Sequence, residues 1–346
     1  MAAAPAGRWW RRPGVRHVLG RLGQGLLTLW AAYTVTFFIL YALPGDAVSL
    51  LVGDDATSSL TAEQLAAVSA EYGLDKPVPV QYLLAVGAAL TGDLGTSFAT
   101  GRPVVGMVAE ALPSTLQIAG AGLVLALVLG TGLAVAATYT RWRPLARALE
   151  ALPPLGVSVP SFWLGLTLLQ VLSFRVPLFP AMGATGLPGV VLPAVTLAVP
   201  TSAVLAQVLG KALRSALAQP YVDTARSRGA SRLRVHLRHA LRNAALPTLT
   251  MAGLLVGGLL GGAVVTETVF SRPGLGRLTA TAVGARDVPT VLGVVLLAAT
   301  VFVLVNLVVD LLYPALDPRV ADTPRRARRR RDRLAAGQPG LAVGRG

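Results

Sequence analysis

Six stretches of this chain are almost free of charge, and each is long enough to cross a hydrocarbon core, which takes about 20 apolar helical residues. They cover residues 22–43, 114–138, 149–174, 187–209, 246–266 and 289–313. Lipid offers the backbone no water, so a spanning segment must satisfy its own N–H and C=O groups, as a helix does. The expectation is an all-α fold, a polytopic membrane protein with six transmembrane helices. Charged residues make up 14% of the chain, against about 25% in an ordinary soluble domain.

The first stretch follows Arg8, Arg11, Arg12, Arg16 and Arg21 and so has the charge pattern of a secretory leader. Its apolar run is longer than a leader's 7–15 or so residues. It ends in Pro44-Gly45-Asp46 rather than a small-residue cleavage site. It reads as a retained span.

Threading the stretches alternately across a membrane, with the N-terminus inside, puts 25 of the 31 Lys and Arg inside and 6 outside. Such a bias sets orientation, so both termini are expected in the cytoplasm. The net charge of +15 is then a topology signal and makes no call on nucleic acid. The chain divides into a basic N-terminus (1–21), a first span (22–43) and an external segment with short helices (44–113). A transmembrane core (114–313) follows, containing a cytoplasmic loop at 211–245, and then a basic tail (314–346). In the external segment, Thr61-Ala62-Glu63-Gln64 has the capping-box pattern and Gly73 suits a helix stop. Residues 81–90 are apolar but too short to span, and are expected at the interface. The Arg-rich run at 325–333 leads into Gly, Pro and Ala, cannot build a core, and reads as a disordered topology anchor.

Several chemistries are excluded. The chain has no Cys, hence no disulfide, thiol nucleophile or Cys-ligated metal. His236 and His239 sit in an Arg-rich stretch without a metal-binding pattern, so no metal site is expected. Lys76 and Lys211 are the only lysines, and neither sits in Gly-Lys-Ser/Thr, so the chain has no P-loop of its own. No ionisable residue lies mid-span, which disfavours an ion-coupled secondary transporter. Paired mid-membrane carboxylates are missing too, and no catalytic residue is assigned.

The loop at 211–245 is the most informative segment. Pro220 suits a first helical turn and Asp223 lies near its N-terminus, where an acid is favourable. Gly229 breaks that helix. A second amphipathic helix then alternates Leu233, Val235, Leu237 and Leu241 with Arg232, Arg234, Arg238 and Arg242.

This loop resembles the EAA loop of membrane subunits of bacterial ABC importers. The whole chain is similar to the first-permease branch of the dipeptide/oligopeptide/nickel family. The Glu-Ala-Ala triplet appears as Asp223-Thr224-Ala225, with the family's Gly at Gly229. The general Ile-x-Leu-Pro ending aligns with His239-Ala240-Leu241-Arg242, so its proline is displaced, the nearest being Pro247, as is usual in the peptide branch. Further matches run from about residue 18 to 320: Pro44-Gly45-Asp46, Gly73-Leu74-Asp75-Lys76-Pro77, Gly92-Asp93-Leu94-Gly95 and Pro160-Ser161-Phe162-Trp163-Leu164-Gly165. Thr266-Glu267-Thr268-Val269-Phe270, Pro273-Gly274-Leu275-Gly276-Arg277, Ala285-Arg286-Asp287 and Asp317-Pro318-Arg319 complete the series.

The resemblance implies a type I ABC importer permease in the bacterial plasma membrane. It would form half of a pathway for di- or oligopeptides; nickel chelates or another small solute are the alternative cargo. Implied partners are a second homologous permease, two ATP-binding subunits, an external substrate-binding protein and the lipid bilayer. ATP and Mg would be held by the partners, with no cofactor on this chain and no enzyme activity of its own. Tyr221, Asp223, Thr224, Ala225, Arg226, Gly229 and Ala230 would form the coupling surface toward an ATP-binding subunit. In the fifth span Gly253, Gly257 and Gly261 recur every four residues, a spacing that favours close helix packing; by the resemblance this span lines the pathway. Glu267 follows at its external mouth, expected exposed or paired with an Arg.

Overall fold

The computed structural model describes residues 13–42, 61, 63, 69–70, 75–184 and 186–316. The Pro44-Gly45-Asp46 turn, most of the helix expected at 61–73 and the tail after 316 lie outside the described residues. The helices are α1 (Pro13–Ala42), α2 (Val78–Leu90), α3 (Val104–Tyr139), α4 (Arg143–Ser158), α5 (Ser161–Arg175), α6 (Pro188–Leu217), α7 (Pro220–Ser227), α8 (Arg232–Val269), α9 (Leu275–Gly284) and α10 (Val288–Leu316). Among the described residues every regular element is helical, and extended pairing is limited to a bridge between Thr96 and Pro103.

α1, α3, α6, α8 and α10 are each long and apolar enough to cross a membrane. The stretch at 149–174, expected as one straight span, is instead the pair α4 and α5, bent by 97°. The cause is local. Pro160 has no N–H to donate and forces the preceding residue out of the helical region; Val159 is accordingly extended, at φ −78° and ψ 121°. Both halves still pack on α6. A Cβ on Gly156 would come within 2.9 Å of Ala203, and one on Gly165 within 3.3 Å of Thr196.

α6 is the central helix: 67% of its apolar window is buried, against 17–33% for the other four spans. Its main partner is α3, through small residues. Gly122, Ala126, Gly130 and Ala134 recur every four residues on α3 and are all buried. A Cβ on Gly130 would lie 2.8 Å from the Ser202 carbonyl oxygen. Lipid is as apolar as Leu, so helices here associate by close packing rather than by expelling water, and small residues permit that approach. α8 completes this core, with Ile118, Leu197, Leu259 and Ala263 buried in one cluster.

α1 and α10 pack together at the side. Tyr33 and Phe37 of α1 bury against Leu292, and α2 lies over them with Tyr82, Ala85 and Ala89. The Tyr82 and Phe37 rings meet edge to face at 5.3 Å, and the hydroxyls of Tyr82 and Thr34 are 2.7 Å apart. α2 thus has a packed side, while Leu83, Leu84 and Leu90 are exposed.

Element ends also differ from the sequence expectation. α3 begins at Val104, running through Pro113, and α6 continues to Leu217. The basic helix expected after Gly229 is no separate element. It is the first part of α8, because nothing between Arg232 and the apolar stretch stops the helix, and Pro247 is carried inside it. A π segment at Val235–Ala240 takes up one extra residue there.

Candidate coupling segment and pathway face

α7 is short and sharply bounded. Gln219 is extended at ψ 147°, Pro220 opens the helix, and Asp223 sits in its first turn. The far end closes as a Schellman motif. Ala230 N–H donates to Ala225 O at 3.1 Å and Gly229 N–H to Arg226 O at 2.9 Å. The motif needs a left-handed residue at Gly229, whose φ is +80°. A Cβ there would meet nothing within 4 Å, so the constraint is conformational and not steric. Ser231 then caps α8, its Oγ accepting from Arg234 N–H at 3.3 Å.

One side of α7 is anchored and the other is free. Val222 is buried and α7 contacts the π segment of α8, whereas Asp223, Thr224, Arg226 and Gly229 are exposed. Tyr221, Ala225 and Ala230 are half-buried. Asp223 and Arg226 are 3.5 Å apart on the exposed side. The Tyr221 hydroxyl is buried and has no hydrogen-bond partner among the described residues.

The spans that flank α7 are bolted together. Leu209, Leu213 and Ala216 of α6, Ala134 of α3, and Ala240 and Ala244 of α8 form one buried cluster. The buried His236 bridges two carbonyls, Arg232 O and Thr138 O, each 3.3 Å from a ring nitrogen. Tyr139 stands edge-on to the imidazole at 5.1 Å, and the Arg232 guanidinium lies 4.7 Å from the centroid of the Tyr139 ring. On α4, Glu150 pairs with Arg214 of α6 at 3.0 Å. The ends of α3, α6 and α8 are thus held together next to α7, which contacts α8 at its π segment.

The glycines of α8 face different surroundings, Gly262 among them lying against α6, where a Cβ would come within 3.0 Å of Leu197. Gly253 and Gly257 face α10: a Cβ on the first would come within 3.2 Å of Asn306 and Val309, and one on the second within 3.1 Å of Phe302. Gly258 and Gly261 have nothing within 4 Å of the Cβ position. With Leu254, Val265 and Thr268 they make an exposed row along α8.

Glu267 is neither exposed nor directly paired with an Arg; it is fully buried. α8 ends at Val269 and the chain turns back so that α9 begins beside the carboxylate. Arg277 N–H, in the first turn of α9, donates to Oε2 at 3.1 Å, and a helix N-terminus suits negative charge. Thr115 Oγ1 donates to Oε1 at 2.6 Å and accepts from Leu275 N–H at 2.8 Å. A Cβ on Gly274 would collide with the carboxylate. Arg272 turns elsewhere, donating to Ala184 O and Gly189 O, each at 2.9 Å. Burial lowers the Arg272 pKa from its ordinary value, and the charge of Glu267 opposes that shift.

A second polar latch was invisible in the sequence. Asp287, buried at the start of α10, accepts from Ser97 Oγ at 2.5 Å, Phe98 N–H at 3.0 Å and Thr290 Oγ1 at 2.7 Å. It hooks the turn before α3 onto α10 across 190 residues of sequence. Asp287 closes one of the matching motifs and Ser97 lies two residues beyond another, but a single sequence carries no signal that joins them.

Two family models match the chain. Binding-protein-dependent transport system inner membrane component covers residues 122–322, and its companion, binding-prot-dependent transport system membrane comp, N-term, covers 14–119. The glutathione transport system permease protein GsiC of Salmonella choleraesuis (strain SC-B67) is 37% identical over 306 residues, 88% of this chain and 99% of that protein. The dipeptide transport system permease protein DppB of Lactococcus lactis subsp. cremoris (strain MG1363) is 36% identical over 307 residues, 88% of this chain and 99% of that protein. Among solved structures, the inward-facing MetNI methionine ABC transporter aligns with a TM-score of 0.53 at 19% identity, over 61% of this chain and 97% of that one. That likeness concerns the fold.

Proposed function

Because the chain belongs to the binding-protein-dependent transport system inner membrane components and is a permease of the peptide-type ABC importers, we propose that it works as half of a peptide pathway driven through α7. Its companions in this reading are a second homologous permease, two ATP-binding subunits and an external binding protein that delivers cargo. The membrane is the bacterial plasma membrane, with α7 and both termini on the cytoplasmic side. The cargo is a small peptide, the class named for the glutathione and dipeptide relatives.

The observation that carries this reading is α7 itself: a self-terminated helix with one buried anchor, Val222, and an exposed opposite side, set between spans that share one buried cluster. Tyr221, Asp223, Thr224, Ala225, Arg226, Gly229 and Ala230 form the surface offered to an ATP-binding subunit. Movement of that subunit on binding and hydrolysing ATP pushes α7, and the clustered span ends follow. The exposed row of α8, with Gly261, faces the pathway. Gly253 and Gly257 instead hold α8 against α10, and Glu267 braces its far end.

The test is reconstitution of the complete transporter in proteoliposomes. Gly229→Arg is expected to insert normally and to lose both uptake and substrate-stimulated ATPase activity. Normal values for both in that variant refute the coupling role. Cargo is settled separately, by identifying the cognate binding protein and measuring which peptides it holds.

A further inference from the structure

A second site lies beside α7, where three apolar segments end together. α3 closes at Tyr139, α4 opens at Arg143 and α8 opens at Arg232. Between them is an open cleft of about 680 Å³ lined by Tyr139, Thr140, Arg141, Leu145, Leu149 and Arg232. Its floor is aromatic, its α4 wall is leucine, and two guanidinium groups stand at its edge. No Asp or Glu lines it. The nearest acid in sequence, Glu150, is already paired with Arg214.

Its surroundings are equally one-sided. Arg141, Arg143, Arg147 and Arg232 pair with no carboxylate among the described residues. Arg232 is half-buried and held over the Tyr139 ring, so one of the two cations is pre-positioned. Trp142, next to the cleft, is 66% exposed. Exposed Trp and Arg at the end of a span mark the headgroup level of a bilayer. On α4, Leu145, Leu149 and Leu152 share one side, and Arg143 and Arg147 lie opposite. That arrangement suits a helix lying in the interface.

We propose that this cleft binds the phosphate headgroup of an anionic phospholipid of the cytoplasmic leaflet. Arg141 and Arg232 clamp the phosphate, and the leucines of α4 receive the upper acyl chain. Arginine is suited to this because its planar fork meets phosphate oxygens in pairs. A basic pocket between spans on the cytoplasmic side is a recognised form of lipid site. Because Arg232 opens α8 three residues after Gly229, a bound lipid steadies the joint through which α7 acts. The assignment rests on the orientation given above, with α7 in the cytoplasm.

The experiment uses the complete transporter in nanodiscs of phosphatidylcholine with and without phosphatidylglycerol. Lipid retained after extraction is counted by native mass spectrometry. Wild type is expected to keep phosphatidylglycerol, and R141Q/R232Q to keep less by on the order of tenfold, since both cations that attract the anionic headgroup are gone. Arg141→Gln alone removes an exposed side chain with no hydrogen bond or ion pair among the described residues, so it preserves the fold, and is expected to lose retention severalfold. Arg175→Gln, exposed at the opposite end of the bundle, is expected to match wild type. Equal retention in wild type and R141Q/R232Q overturns the proposal. So does displacement of the lipid by inorganic phosphate, which would make this a soluble-anion site. So does loss of the ATP-binding subunits from R141Q/R232Q with lipid retention unchanged, which would make it a protein-docking site.

Orientation is checked independently. The chain has no Cys, so R143C carries a single thiol for an impermeant maleimide. Labelling from the outer side refutes the orientation whatever the lipid result. Labelling from the cytoplasmic side alone, with no lipid difference, refutes the lipid site alone.

Discussion

Two glycines separate conformation from space. Gly229 is left-handed in open surroundings, whereas Gly274 has an ordinary φ of −123° and no room for a Cβ. Asn tolerates the left-handed region, so Gly229→Asn is expected to retain most uptake in proteoliposomes, and Gly274→Asn to lose it together with thermal stability in detergent. Glu267 gives a related expectation. Removing its carboxylate leaves the buried Thr115 hydroxyl and the part-buried Arg277 N–H without their acceptor, and stranding the buried group alone costs about 1–3 kcal/mol. Glu267→Ala should therefore lower the melting temperature of the purified complex markedly, and Thr115→Val, which strands the Leu275 N–H and takes one donor from the carboxylate, should lower it by a comparable amount. Gly229 was legible in the sequence because helix stops are local. The burial of Glu267 was not, because its partner Thr115 lies 152 residues away.

At the scale of elements, the span most heavily packed was read as a span but ended too early, at 209 where α6 continues to Leu217, and its packing partner went unread. The sequence drew attention to the glycines of α8, yet a close approach to the backbone of a neighbouring span is on α3, where Gly130 faces the Ser202 carbonyl. The signal was present as Gly122, Ala126, Gly130 and Ala134 in four-residue steps; alanines conceal such a row from a search for glycine alone. Gly130 and Gly132 give a matched pair on one helix. Gly130→Leu drives a side chain into the α6 backbone and is expected to cost about 3 kcal/mol or more, in the range of overpacked cores. Gly132→Leu points where nothing lies within 4 Å and is expected to be silent. Limited proteolysis and thermal unfolding in detergent distinguish the two. The 97° bend between α4 and α5 was missed for another reason: hydropathy counts apolar residues and is blind to direction, although Pro160 stood in plain view.

For the whole molecule, charge asymmetry supports the proposed orientation, because each loop votes separately. It could not reveal how the two ends of the bundle are tied. One end is held by buried polar latches, Glu267 with Thr115 and Asp287 with Ser97. The other is held by small apolar side chains around Leu213 and Ala240. Loss of the Ser97–Asp287 bond should act on the joint alone. S97A and D287A are expected to be non-additive when combined, with a coupling of about 1–3 kcal/mol in a double-mutant cycle. The basic tail lies outside the described residues and reads from its sequence as a solvated topology anchor, so deleting residues 325–346 is expected to leave uptake largely unchanged.

The Schellman closure of α7 has a thermodynamic consequence. Its terminal carbonyls are satisfied within the chain, through Gly229 and Ala230, and Val222 is already seated. In the proposed coupling role the segment would meet its partner as a preformed key. A segment that folds as it binds surrenders about 2–5 kcal/mol or more to ordering, and here that loss is absent. Engagement and release can then repeat at every turnover without melting and rebuilding a helix. The heat-capacity change of docking should accordingly match the area covered, with nothing left over for folding.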